Sequence, residues 1–328
     1  MSQTKIPVAT LGVPRIGRRR ELKFALEAYW AGKSTADELL GVAKSVRAAN
    51  WKEQAARGIT KIPSNDFSLY DHVLDTAVMV GAIPARYGWT GGDMPLDTYF
   101  AMARGNQGEG GAACGHSGHA DSGQAHGVTA LEMTKWFDTN YHYMVPELDD
   151  DQAFSLASTK PVDHFLEARE LGIHTRPVIL GPVTFLKLAK SQAQGFDPVS
   201  LLPALLPVYE ELLRRLAAAG ADWVQIDEPA LVLDLIPNER DAFKFAYGRL
   251  AKAAPGIKIM LATYFGALGD NLDAALSLPV AGLHVDLVRA PEQLEAVGRL
   301  ADEKLVLSLG LTDGRNVWRA DLSTILDR

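Results

Sequence analysis

Five cations fall within nine residues near the start of the chain, Arg15-Ile16-Gly17-Arg18-Arg19-Arg20-Glu21-Leu22-Lys23, where a helical stripe of Leu22, Ala25, Leu26 and Tyr29 begins. Cations at a helix start oppose the macrodipole, which favours anions there by a few tenths to about 1 kcal/mol. Free helix N–H groups beside Arg and Lys make a receptor for carboxylates or phosphates, and a local rule broken in this way is a mark of function. A solvated basic patch is the plain alternative. A second group, Lys135-Trp136-Phe137-Asp138-Thr139-Asn140-Tyr141-His142-Tyr143, crowds aromatic, cationic and amide side chains into nine positions. Lys135 and Asn140 could hold an acidic or amide-bearing ligand, although a half-buried strand with aromatic packing and polar ends accounts for the same residues.

Asp227 and Glu228 end an apolar run and precede Pro229. Paired carboxylates suggest acid–base work of the glycosidase kind. Neighbouring residues of a strand point to opposite faces, so the two converge on one bond only if the strand has already ended. Cys114, His116, His119 and His126 are zinc-ligand types, but their stretch is Gly-rich and shows no evident second layer of supporting groups. His72, His164 and His174 stand alone, and His284 alternates with Asp286 so that both face one side of a strand.

The elements that must position these groups alternate in the second half of the chain. Short β-rich runs at 177–183, 223–227, 257–261, 282–287 and 305–309 are separated by helical patterns. One such helix spans 201–219, with Leu202, Leu205, Leu206, Tyr209, Leu212, Leu213 and Leu216 on a single stripe and Gly220 as its stop. The first half offers strands at 8–13 and 141–145 and helices near 20–31, 35–57 and 67–81. Seven candidate strands are one short of a barrel, and no G-x-G-x-x-G lies between a strand and a helix to favour a doubly wound sheet. The expectation is an α/β fold, a (βα)8 TIM-type barrel incomplete at its C-terminal end. Residues 105–127, dominated by Gly, Ala, Ser and His, read as a mobile loop inserted in it.

The 328 residues carry 33 Lys and Arg against 40 Asp and Glu, a net charge of −7, which argues against a broad nucleic-acid surface and leaves any anion site local. Hydrophobic residues at 47% and charged residues at 22% indicate a globular chain with a large core. A single cysteine excludes an internal disulfide and a four-cysteine zinc site and leans towards a reducing compartment. No apolar stretch reaches a membrane span and no signal-type run follows Met1-Ser2-Gln3-Thr4-Lys5, so the expectation is a soluble, unprocessed, cytoplasmic protein without membrane or nucleic-acid partners.

Several runs together resemble the amino-terminal half of cobalamin-independent methionine synthase. They are 11–17, 20–23, Glu132 to Tyr143, Gln225-Ile226-Asp227-Glu228-Pro229-Ala230-Leu231 and Asp313-Gly314-Arg315-Asn316-Val317-Trp318. The resemblance implies an enzyme of two facing (βα)8 barrels that moves a methyl group from 5-methyltetrahydropteroyltriglutamate (a folate polyglutamate) to L-homocysteine. Its zinc, held by the second barrel, activates the homocysteine thiol, and no cobalamin takes part. Carried over position by position, Arg20, Glu21, Leu22 and Lys23 match the family's folate-polyglutamate segment, and Lys135 and Asn140 its other amino-barrel folate contacts. A polyanionic tail suits the cationic helix start. The implied catalytic and zinc residues lie beyond Arg328, so the covered chain is expected to be a fragment, inactive alone, with exposed strand edges that weaken its fold. A stand-alone folate-binding module is the first rival and a hydrolase built on Asp227 and Glu228 the second.

Overall fold

The computed structural model describes residues 6–106, 127–191 and 193–327. The helices of the first half form where the apolar stripes lie: α1 (Glu21–Trp30), α2 (Ala36–Ala56), α3 (His72–Met79) and α4 (Leu96–Arg104). The start of α2 is set by a capping box, in which Thr35 Oγ1 accepts from Glu38 N–H at 3.2 Å while the Glu38 carboxylate accepts from Thr35 N–H at 2.7 Å. Between α2 and α3 runs a short strand, β1 (Ile62–Ser64), and after α4 comes an antiparallel hairpin of β2 (Met133–Lys135) and β3 (His142–Met144). A two-residue pair, β4 (Glu147–Leu148) with β6 (Lys190–Ser191), flanks α5 (Lys160–Glu170), β5 (Thr175–Leu180) and α6 (Pro182–Leu188). The remainder alternates α7 (Leu202–Ala219), β7 (Trp223–Asp227), α8 (Pro237–Ala253), β8 (Lys258–Ala262), α9 (Leu272–Leu276), β9 (Gly282–Asp286), α10 (Gln293–Leu300), β10 (Val306–Gly310) and α11 (Leu322–Leu326).

Six strands form one parallel sheet in the order β1-β5-β7-β8-β9-β10, and a bridge from Ala9 to Lys61 extends it towards the chain start. Helices on the outer face bury the stripe of α7 completely, and Gly220 ends that helix at φ 95°, as its position in the sequence requires. Residues 8–12 beside one edge and residues 306–311 at the other line a single cavity of about 1860 Å³, so the sheet is curled around it. This is an open barrel of the (βα)8 type, in agreement with the expected fold class.

Two strand assignments need correction. Residues 141–145 contain a strand, but it pairs with β2 outside the main sheet. The position it was expected to fill belongs to β1, whose Ile-Pro-Ser is fully buried and pairs with β5 from Ile62↔Thr175 to Ser64↔Pro177. The expected strand at 8–13 is reduced to the single bridge at Ala9.

Candidate functional site

The C-terminal ends of the sheet strands carry a polar rim. Asn65 and Asp66 follow β1, Asp227 ends β7, Tyr264 and Phe265 follow β8, and Asp286 ends β9; all line the cavity. Along its wall, a hydrogen-bonded chain links β5, β7 and the segment after β8. Arg176 Nη2 donates to Gln225 Oε1 at 2.7 Å, Gln225 Nε2 donates to Asp227 Oδ1 at 2.7 Å, and Tyr264 O–H donates to Asp227 Oδ2 at 3.1 Å. Burial pushes the Asp227 carboxyl up to about 6, and Asp66, which accepts from Val13 N–H at 2.9 Å, likewise to about 6. Burial also lowers His284 to about 4, helped by the nearby Arg176 charge, so its ring is neutral at pH 7 and pairs through Nδ1 with Ser308 Oγ at 2.9 Å.

Glu228 takes the opposite face, as strand geometry demands. Its carboxyl is buried at the start of α6, accepting from Thr184 N–H at 2.8 Å, Val183 N–H at 3.3 Å and Tyr247 O–H at 3.3 Å. A Cβ on Gly181 would stand 2.0 Å from the Glu228 carboxyl carbon, so glycine is required there for the approach. Asp227 and Glu228 therefore cannot act on one bond, and the two-carboxylate hydrolase reading fails on geometry.

The cationic segment at the chain start is largely exposed. Arg20 sits at the start of α1 with φ 62°, a left-handed conformation costly for a residue with a side chain, and Lys23 lies 3.5 Å from Glu27. Glu21 folds back so that its carboxylate accepts from Arg19 N–H at 2.9 Å; its own backbone N–H first, and then that of Arg19, hold it below its ordinary range. The Arg20 N–H donates to Gly17 O at 3.2 Å and the Leu22 N–H to Ile16 O at 3.2 Å, which occupies two of the donors that the start of a helix leaves unpaired. The expectation of free helix N–H groups is thus corrected: several are spoken for, and cationic side chains are what this segment offers an anion. Leu22 is fully buried in the core formed by the first four helices. Its role is packing, so Leu22→Met, which conserves volume, should cost less than about 1.5 kcal/mol in a denaturant melt.

Lys135, at the end of β2, and Asn140, in the following turn, are both exposed, whereas Trp136 and Tyr143 beside them are buried. The hairpin thus has the aromatic packing and polar ends that its sequence suggests. No hydrogen bond or ion pair among the described residues joins Arg20–Lys23 to Lys135 or Asn140, and none of the six lines the cavity. Asp66, Arg176, Gln225 and Tyr264 carried no site role in the sequence, although Gln225 opens one of its motif runs. Gln225 and Asp227 share the two-residue alternation of an inward strand face, a usable signal, whereas Arg176 was hidden in front of Pro177.

Among the described residues, no group of three or more His, Cys, Asp or Glu is placed to hold a metal. A zinc ion finds no donor set among them. Cys114, His116, His119 and His126 lie outside the described residues. Among those described, no helix is long and apolar enough to cross a membrane.

An open α/β barrel with polar groups gathered at its strand ends is the architecture of barrel enzymes and their domains. The chain belongs to the family described as cobalamin-independent synthase, N-terminal domain, which matches residues 7–328. It is 75% identical over 321 residues to the 5-methyltetrahydropteroyltriglutamate–homocysteine methyltransferase of Mesorhizobium japonicum, covering 98% of this chain and 41% of that protein. The protein of the same name from Caulobacter vibrioides is 67% identical over 328 residues, covering 98% and 42%. The chain thus spans about two-fifths of the length of these curated relatives.

Among solved structures, a putative vitamin-B12 independent methionine synthase from Listeria monocytogenes superposes with TM-score 0.63 at 13% identity, covering 98% of this chain and 87% of that one. A B12-independent methionine synthase from Shewanella sp. W3-18-1, solved with selenomethionine, gives TM-score 0.60 at 14% identity, covering 90% and 77%. At such identities the likeness establishes the fold alone.

Proposed function

We propose that this chain is the folate-polyglutamate-binding part of a cytoplasmic methyltransferase that moves a methyl group from 5-methyltetrahydropteroyltri-L-glutamate to L-homocysteine, giving L-methionine without cobalamin. The observation that carries the reading is 75% identity, along almost the whole chain, to a protein so named. The exposed cations of the first helix start and of the hairpin support it, because a triglutamate tail presents several carboxylates to be met by Arg and Lys. In this reading Arg20, Glu21 and Lys23 form the tail segment around the packing residue Leu22, and Lys135 and Asn140 contact the folate from the hairpin, at the tail. Zinc and homocysteine are assigned to the protein's length outside these 328 residues. A binding module without chemistry would retain the same cations and differ in having no catalytic partner.

Calorimetric titration of the purified chain with 5-methyltetrahydrofolate triglutamate and monoglutamate tests the tail site. The triglutamate should bind more tightly, and Lys23→Ala and Lys135→Ala should each weaken it about fivefold, the equivalent of an exposed charge contact of about 1 kcal/mol, while leaving the monoglutamate nearly unchanged. Equal affinity for the two folates in a folded chain refutes the tail site. Methylation of homocysteine by the chain alone would overturn the assignment of catalysis elsewhere.

A further inference from the structure

The turn between Lys135 and Asn140 is tied down on both sides of the cavity mouth. On one side, Tyr141 O–H donates to Asp71 Oδ1 at 2.6 Å and Trp136 packs edge-on against His72 at 4.4 Å between centroids, so the turn rests on the start of α3. On the other side, Asp138 pairs with Arg289 Nη2 at 2.5 Å and stands 3.7 Å from Arg315 Nη1. These arginines come from two different loops, after β9 and after β10, and both line the cavity. The ring of Phe137 lies 5.5 Å from that of Phe265, which follows β8.

The partners on this second side are themselves fixed. Asp286, at the end of β9, accepts from Phe265 N–H at 3.0 Å through Oδ2 and from Arg289 N–H at 2.9 Å through Oδ1. Phe137 and Phe265 are both held at positive φ, 49° and 78°. Strained residues of this kind persist only where the surroundings over-determine them. The turn itself is closed by Thr139 N–H to Trp136 O at 3.1 Å and Trp136 N–H to Tyr141 O at 2.8 Å. Its shape is therefore internally defined, and its placement over the cavity depends on the two sets of ties.

We propose that Asp138 is a positioning residue: through Arg289 and Arg315 it fixes the hairpin turn, and with it Lys135 and Asn140, over the mouth of the cavity. The consequence for folate rests on the reading above that Lys135 and Asn140 contact it; the placement of the turn does not. Asp138, Arg289 and Arg315 are each more than a third exposed, so the pairs add little to global stability. Their effect is to narrow the positions open to a turn that would otherwise be held on this side by one ring contact. A ligand then meets Lys135 and Asn140 already placed, and less ordering is left to binding.

Hydrogen exchange and titration of the full chain test this with Asp138→Asn and Asp138→Glu. In Asp138→Asn, the amides of Trp136, Thr139 and Tyr141 should exchange several-fold faster while those of β5 and β7 keep their wild-type rates. Triglutamate affinity should fall about fivefold, monoglutamate affinity should hold, and Asp138→Glu, which keeps a carboxylate within reach of both arginines, should restore both readouts. Unchanged exchange in the turn of Asp138→Asn, or failure of Asp138→Glu to restore it, overturns the proposal. If the wild-type chain binds no folate, the reading of Lys135 and Asn140 fails instead, and the exchange data alone decide whether Asp138 places the turn.

Discussion

Glu228→Gln should gain about 3 kcal/mol of stability relative to the wild-type chain as the pH is raised from 4 to 8. Burial pushes the Glu228 carboxyl from its ordinary value of 4.5 to about 7 in the folded chain, the bonds from Thr184, Val183 and Tyr247 only partly opposing it. A carboxyl raised by folding holds its proton longer in the folded state. Its contribution is therefore complete below about pH 4.5 and is lost as the pH climbs through the folded value near 7. The loss is about 1.4 kcal/mol per unit over roughly 2.5 units. Glutamine cannot ionise, so it carries whatever packing cost it has at every pH, and the difference between the two denaturation curves isolates the proton. Asp66 and Asp227, each raised to about 6, act in the same sense in both proteins and cancel from the comparison. Urea melts at pH 4, 6 and 8 measure it, and parallel pH profiles for the two proteins would mean that folding leaves the Glu228 pKa unshifted.

Asp71→Ala should cost about 3 kcal/mol or more, measured as a lower urea midpoint with an unchanged slope. Asp71 is 1% exposed and caps α3, its Oδ2 accepting from Leu74 N–H at 2.9 Å. The same oxygen accepts from Met144 N–H at 3.1 Å, and Oδ1 accepts from Tyr141 O–H at 2.6 Å. Alanine leaves all three donors without this partner, and each buried unsatisfied group costs about 1–3 kcal/mol. Asp71→Asn keeps one acceptor oxygen and should recover part of the loss. A midpoint shift below about 1 kcal/mol for Asp71→Ala would show that water replaces the carboxylate.

The second half of the fold was legible because its strands are apolar, five or six residues long, and separated by helices with clean stripes. The leucines of α7 and the stop at Gly220 need only local information. The strand β1 was not legible: three residues with a central proline carry no periodicity, and Ile62-Pro63-Ser64 becomes a strand only because β5 pairs beside it. At 141–145 the alternation identified a strand but not its partner, since pairing outside the main sheet is a tertiary choice. The candidate site divides in the same way. That Asp227 and Glu228 face opposite sides follows from strand geometry, whereas the link from Arg176 through Gln225 to Asp227 joins residues from two strands and needs the folded register. Asp138 showed no local sign, because both of its partners lie more than 140 residues further along the chain.

The arrangement at the end of β7 bears on how this segment can change over evolutionary time. Asp227 and Glu228 are adjacent in the chain yet serve unrelated surroundings, the cavity for one and the start of α6 for the other. A point substitution at either position alters one environment and leaves the other intact. Inserting or deleting one residue upstream within β7 would exchange the faces of both, placing one carboxyl among the wrong donors and removing the cap of a buried helix at the same stroke. Segment 223–229 is therefore permissive towards single replacements in proportion to their chemistry and intolerant of any change in length.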